Sequence, residues 1–225
     1  MGTPTWFRFS TVNTPLAHVF RSSAKLRDAH HFKPRGIGRL AWDEVTRQLA
    51  FQEDSISPLR EDNEATEIAS TWDGFSISYD VLSIRAVLYL SFWKQDTATC
   101  MAVEIDSQVP YIKPQGMTEG EWLERFICEY IHACGSSECA YGRDWPILFA
   151  PLEPEQIVSE LRSGMLLKRP LPGFYALAQG LLSKEEMATL LLGQERSSRL
   201  RYFHSPAGYY VLSSLCRRNW ALTGP

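Results

Sequence analysis

The sequence predicts an α+β fold, an antiparallel sheet packed with helices, on three observations. Phe75, Ile77 and Tyr79 alternate with Ser76, Ser78 and Asp80, the period of a half-buried strand. Two more strand-like runs, 84–93 and 99–105, follow across short links, so a sequential antiparallel meander is the simplest connection. Trp122, Phe126, Tyr130 and Ala133 then recur at helical spacing, with Leu123, Ile127 and Ile131 thickening the same stripe.

Taken in chain order, residues 6–12 read as an opening strand, with Phe7 and Phe9 on one side. Pro15 opens a helix over 15–29, its apolar stripe being Leu16, Val19, Phe20 and Leu26. Residues 33–39 read as a basic, turn-rich connection. Trp42, Val45 and Leu49 suggest a short amphipathic helix over 41–51. Residues 52–66 are acidic and polar and are interrupted by Pro58, which predicts a mobile loop. That loop divides a segment 1–66 from a main body 67–225; the first is either a small N-terminal subdomain or part of one continuous domain.

Pro110 and Pro114 end the sheet pattern. Thr118 and Glu121 form a capping box for the helix that runs to Gly135. A helix follows over 151–162, then a break at 169–173. Ser183 and Glu186 form a second capping box, opening a helix toward Gly193. Residues 199–203 and 209–212 flank a five-residue loop and read as a closing hairpin.

The 225 residues carry a net charge of −3, unevenly spread. Residues 1–50 carry +5, 51–70 carry −5, 71–160 carry −9 and 161–225 carry +6. An acidic block of this size steers cationic partners and argues against a nucleic-acid surface in the middle of the chain. No apolar run is long enough for a membrane helix, and the opening residues do not read as a secretory signal. Five cysteines, an odd number, cannot all pair within the chain, and a reducing cytoplasm is the expected compartment.

Chemistry-bearing motifs are few. Gly36 and Gly38 lack both the Walker spacing and the dinucleotide-binding pattern, and no cofactor is expected. Cys128, His132, Cys134 and Cys139 offer zinc-type donors, Cys128 and His132 one helical turn apart. They lack a close Cys-x2-Cys pair, so packing is the expected role and no bound metal is predicted. No catalytic residue is assigned; a cysteine- or metal-dependent enzyme is retained as an alternative. His30-His31 beside Lys33 and Arg35 reads as a polar surface turn. Glu61, Asp62 and Glu64 in the acidic loop, with Tyr141, Arg143, Asp144 and Trp145, are the candidate partner-binding residues. The first three supply charge for steering; the others combine two aromatics, an arginine and an acidic group, a set suited to an interface.

The stretch Trp72-Asp-Gly-Phe-Ser-Ile-Ser-Tyr79, the helix with Glu121-Trp-Leu-Glu-Arg-Phe126 and the aromatic C-terminal hairpin form a layout over 67–212. That layout resembles the bacterial immunity proteins of toxin–antitoxin secretion systems. The resemblance implies a cytoplasmic α+β protein, a monomer or weak homo-oligomer. Its partner would be a cognate effector toxin, with a cationic nuclease fitting the acidic block, and direct nucleic-acid or membrane binding would not be expected. It brings no catalytic residues with it. A non-enzymatic adaptor is the third reading.

Overall fold

The structure is a computed structural model that describes residues 5–43, 45–46, 48–59, 62–82, 84–105, 116, 121–143, 152–169, 173–195, 200–206 and 208–213. The described strands are β1 (Thr5–Val12), β2 (Phe32–Asp43), β3 (Gln48–Pro58), β4 (Gly74–Val81), β5 (Ala86–Gln95), β6 (Ala98–Ile105), β7 (Glu138–Arg143), β8 (Gly173–Ala178), β9 (Leu200–Ser205) and β10 (Gly208–Ser213). The helices are α1 (Leu16–Ser22), α2 (Ala24–Ala29), α3 (Asp62–Thr71), α4 (Glu121–Cys134), α5 (Pro154–Ser163) and α6 (Lys184–Glu195), with a 3-10 turn at Met165–Lys168. The strands form one sheet in the order β3-β2-β4-β5-β6-β1-β7-β8-β10-β9. Every pairing is antiparallel. The α+β prediction therefore holds, and so does the β4–β5–β6 meander.

Alternation along each strand sorts side chains to two faces. On one face Phe7, Phe9, Phe75, Ile77, Leu90, Phe92, Met101 and Val103 build the main core with the inner sides of α1–α4. The four-residue spacing in α4 becomes an aromatic column: Trp122 stacks on Phe126 at 5.2 Å and Phe126 meets Tyr130 at 5.3 Å. The column touches the sheet where Tyr130 lies 5.3 Å from Phe9 and Phe126 lies 5.7 Å from Phe32. Helix α4 stops where the sequence predicts, at Gly135, whose φ of 69° is readily adopted by glycine.

On the opposite face, α5, the 3-10 turn and α6 cover the β8–β10–β9 end. Tyr175, Leu177, Tyr209 and Val211 pack there against Ile157, Leu161, Leu166 and Met187. Strands β8 and β10 are thus apolar on both faces, with Phe174, Ala176, Tyr210 and Leu212 turned into the main core. Ser183 Oγ accepts the Glu186 N–H at 3.0 Å, half of the predicted capping box. The Glu186 carboxylate does not reciprocate; it takes the Arg162 guanidinium of α5 at 2.5 Å, tying the two helices at the surface.

Several sequence expectations are overturned. The helix over 15–29 is two helices broken at Ser23, whose hydroxyl donates to Phe20 O at 2.9 Å and so diverts the chain locally. The connection at 33–39 lies inside β2. Its Pro34 and Gly36 coincide with a shift in the β2–β4 register, where a missing N–H is tolerated. The helix over 41–51 is the β2–β3 hairpin, with Trp42 opposite Leu49. Asp43 decides this: its carboxylate accepts the N–H groups of Val45 at 2.8 Å and Thr46 at 3.1 Å, closing a turn. These bonds also hold the Asp43 carboxyl below its ordinary range. Phe51 then lies over Gly38, where a Cβ would collide with the ring. In the stretch 52–66 expected to be a mobile loop, the described residues form the end of β3, to Pro58, and α3 from Asp62; β3 is the edge of the sheet, where a polar sequence is tolerated. Strands β7 and β8 lie in stretches for which the sequence predicts no element, β8 starting at the end of the 169–173 break, and the β9–β10 link is two residues rather than five. Pro110, Pro114 and Thr118 lie outside the described residues.

Phe126 is 0% exposed at the centre of this aromatic column, whereas Leu82 is 61% exposed. Phe126→Ala is expected to cost about 3–5 kcal/mol of unfolding free energy. Leu82→Ala should stay within about 0.5 kcal/mol of the parent. Urea unfolding of the two variants beside the parent checks both values.

Candidate functional site

The helices of the main-core face bring the acidic segments together. Helix α1 touches both α3 and α4, so it lies between them. Helix α1 is held by its apolar side, with Phe20 set edge-on to Phe75 at 5.5 Å and Phe92 at 5.4 Å. Arg27 of α2 is buried beneath; its guanidinium sits 4.0 Å over the Phe20 ring and donates to Phe20 O at 3.0 Å and Ser23 Oγ at 2.5 Å. These contacts leave the polar sides of the helices outward. The carboxylates of Asp28, Glu64, Glu67 and Glu129 are exposed and those of Glu121 and Glu124 half-buried, beside exposed Arg21, Lys25 and Arg125. Acidic groups from the 51–70 and 71–160 segments thus share one helical layer.

His30 belongs to this layer and is no simple surface turn. Its ring lies 5.5 Å from both Trp122 and Phe126, edge-on at 79°. Its Nε2 is 2.9 Å from Glu129 Oε2, linking the end of α2 to α4. His31 beside it is exposed, with a φ of 56°.

The predicted partner-binding residues scatter. Glu64 is exposed on α3. Asp62 opens α3 and Arg143 ends β7, and the side chains of both lie outside the described set. Glu61, Asp144 and Trp145 also lie outside the described residues. Tyr141 is built into the core rather than onto the surface: it is 3% exposed, 5.7 Å from Phe7 and 5.4 Å from Phe174. The reason is its place in β7, where Tyr141 pairs with Phe7 and shares its inward face.

Cys128, Cys134 and Cys139 all join the main core, while His132 is exposed and lies 5.5 Å from Tyr210. Among the described residues, no three His, Cys, Asp or Glu side chains are placed to hold a metal ion. Burial pushes the thiols of Cys128, Cys134 and Cys139 well above their ordinary range. Cys100, on the other face of the sheet, is raised by burial too, although Arg8 Nη2 donates to its Sγ at 3.2 Å. A thiol that resists ionisation is a poor nucleophile and a poor metal ligand.

A polar joint was missed altogether by sequence reasoning. Glu138 of β7 is 2% exposed; its Oε1 accepts the Leu152 N–H at 2.9 Å and its Oε2 lies 3.8 Å from Arg169 Nη1. Ser137 donates its hydroxyl to the Leu152 carbonyl. The available sequence signal was Glu138 within the otherwise small or apolar run Ser136–Tyr141, the composition of a strand with one unusual inward carboxylate.

Compared with models of protein families, with curated proteins and with solved structures, the chain finds no match in any of the three. No helix among the described residues is long and apolar enough to cross a membrane.

The four described cysteines should resist alkylation by iodoacetamide at neutral pH while the protein is folded, and all should react in urea. Mass spectrometry of peptides from both samples checks this. Rapid native labelling of Cys128 or Cys139 would contradict the buried, protonated state.

Proposed function

We propose that this chain is an immunity protein that binds and inhibits a cognate bacterial effector toxin, with a basic effector as its partner. The observation that carries the reading is the helical layer in which α3 and α4 flank α1. It presents Glu64 and Glu67 on one side and Glu121, Glu124 and Glu129 on the other. Carboxylates far apart in sequence are thereby gathered where a cationic surface can meet them together. Such a field raises the encounter rate and suppresses acidic competitors by like-charge repulsion. The rigid backing of the main core limits the ordering cost on association. The buried, protonated cysteines favour this reading over a thiol enzyme.

Co-expression with the effector encoded beside its gene is the direct test. The expected result is a stable complex and protection of cells from the effector. Turnover of a small substrate by the isolated chain, with no protection, would overturn the reading.

The triple variant E64Q/E67Q/E129Q should associate with such a basic effector about 3–10-fold more slowly at low salt, with a smaller effect at high salt. Stopped-flow or surface-based kinetics at two ionic strengths measures this. An unchanged rate at both would remove the helical layer from the interface.

A further inference from the structure

Glu138 stands where three pieces of chain meet: the start of β7, the approach to α5 at Leu152, and Arg169 just beyond the 3-10 turn. The second core lies under this junction, with Ile157, Val158 and Leu161 of α5 and Leu166 of the 3-10 turn packed on the β8–β10 face. Among the described residues, specific polar contacts close the junction. Ser137 and Glu138 grip the carbonyl and the N–H of Leu152. Arg169 supplies the cation, but it spends its paired hydrogen bonds on Glu160 of α5, Nε to Oε2 at 2.9 Å and Nη2 to Oε1 at 3.0 Å. Glu138 is left with the longer 3.8 Å approach of Nη1.

We propose that Glu138 is a proton-operated joint: with a proton bound, the cap of α5 and the 3-10 turn stays seated on β7 and β8, and on ionisation the cap loosens. The charge balance gives the direction. With Glu138 protonated, Glu160 and Arg169 cancel. With Glu138 ionised, two carboxylates share one guanidinium, and the added negative charge sits on the side chain that is 2% exposed, where water does not solvate it well.

Among the described residues, Arg169 is the cation that acts on the Glu138 carboxyl. Tyr175 of β8 pairs directly with Glu138, and burial keeps its phenol neutral by raising it well above its ordinary range. Ser136 donates to the Glu138 carbonyl at 2.7 Å. On β1, Arg8 donates toward β5 and β6, to Gln95 Oε1 at 2.8 Å and Cys100 Sγ at 3.2 Å. On α6, Glu186 is engaged by Arg162 at the surface.

Burial raises the Glu138 carboxyl to about 7, with Arg169 and the Leu152 N–H pulling the other way. A glutamate in an unfolded chain titrates near ~4.3. Between those values the folded chain holds a proton that the unfolded chain has lost. Stability from this group therefore falls as pH rises through that window, then levels off above it. The joint is thus poised to respond around neutral pH, and the response centres on the second core.

Hydrogen exchange on the intact chain, corrected for the intrinsic pH dependence, tests this at about pH 6 and about pH 8, alongside a carbon-13 titration of the glutamate carboxyls. The α5 amides should lose up to about tenfold of their protection at the higher pH relative to those of β4–β6. Glu138→Gln keeps an acceptor for Leu152 and carries no charge; its α5 protection should be equal at the two pH values. A Glu138 carboxyl titrating in the ordinary glutamate range would overturn the proposal, and this reading needs no variant to fold. So would a wild-type α5 whose protection does not change relative to β4–β6, or a Glu138→Gln protein that keeps the full pH response.

Discussion

Strand β1 is the seam on which the rest of the molecule depends. It pairs with β6 from Thr5–Ile105 to Val12–Ala98, and with β7 from Thr5–Arg143 to Phe9–Cys139. To one side lie β3, β2, β4, β5 and β6; to the other lie β7, β8, β10 and β9. Without β1, both halves would end in bare backbone donors and acceptors at the middle of the protein, a costly arrangement. The side chains of β1 match that duty. Phe7 and Phe9 are 0% exposed in the main core, while Arg8 and Ser10 are buried on the other face. Arg8 is accommodated there by Gln95, Cys100 and the Trp93 ring, whose centroid lies 5.1 Å away.

The placement of helices follows from this seam. Helices α1–α4 cover one face of the sheet, and α4 extends the main core across to β8 and β10. Helices α5 and α6 take the opposite face at the β8–β10–β9 end. The proposed partner surface and the second core are therefore on opposite faces. The first presents charges to solvent, where screening keeps each one cheap and collectively long in reach. The second confines Glu138, Glu160 and Arg169 in and around a joint where a single proton matters. One chain thus uses carboxylates in two ways, and solvent access separates them.

Much of the framework was legible locally. The alternation of Phe75, Ile77 and Tyr79 marks β4 because one face of that strand is buried and the other is more polar. The spacing of Trp122, Phe126 and Tyr130 marks α4 because it meets a core on one side. The stretch 41–51 misled for an equally physical reason. Trp42, Val45 and Leu49 sit at spacings that fit a helix, but Asp43 closes a turn onto Val45 and Thr46 and sets Trp42 opposite Leu49. Strands β7 and β8 hid because each is short and is stabilised by partners distant in sequence. Of the candidate site, Glu64 keeps an exposed position on α3, whereas the aromatic ring of Tyr141 serves the core.

The sequence by itself determined the fold class, the meander, the α4 helix with its Gly135 stop, and the acidic character of the middle of the chain. These follow from periodicity, local capping and charge, each set by residues close in sequence. Only the tertiary structure decided that β1 enters the middle of the sheet, that α3 and α4 bring their carboxylates to one layer, and that Glu138 meets Arg169 in a buried joint. Each of those depends on contacts between distant residues, where burial sets the strength of a charge and pairing sets the direction of a side chain.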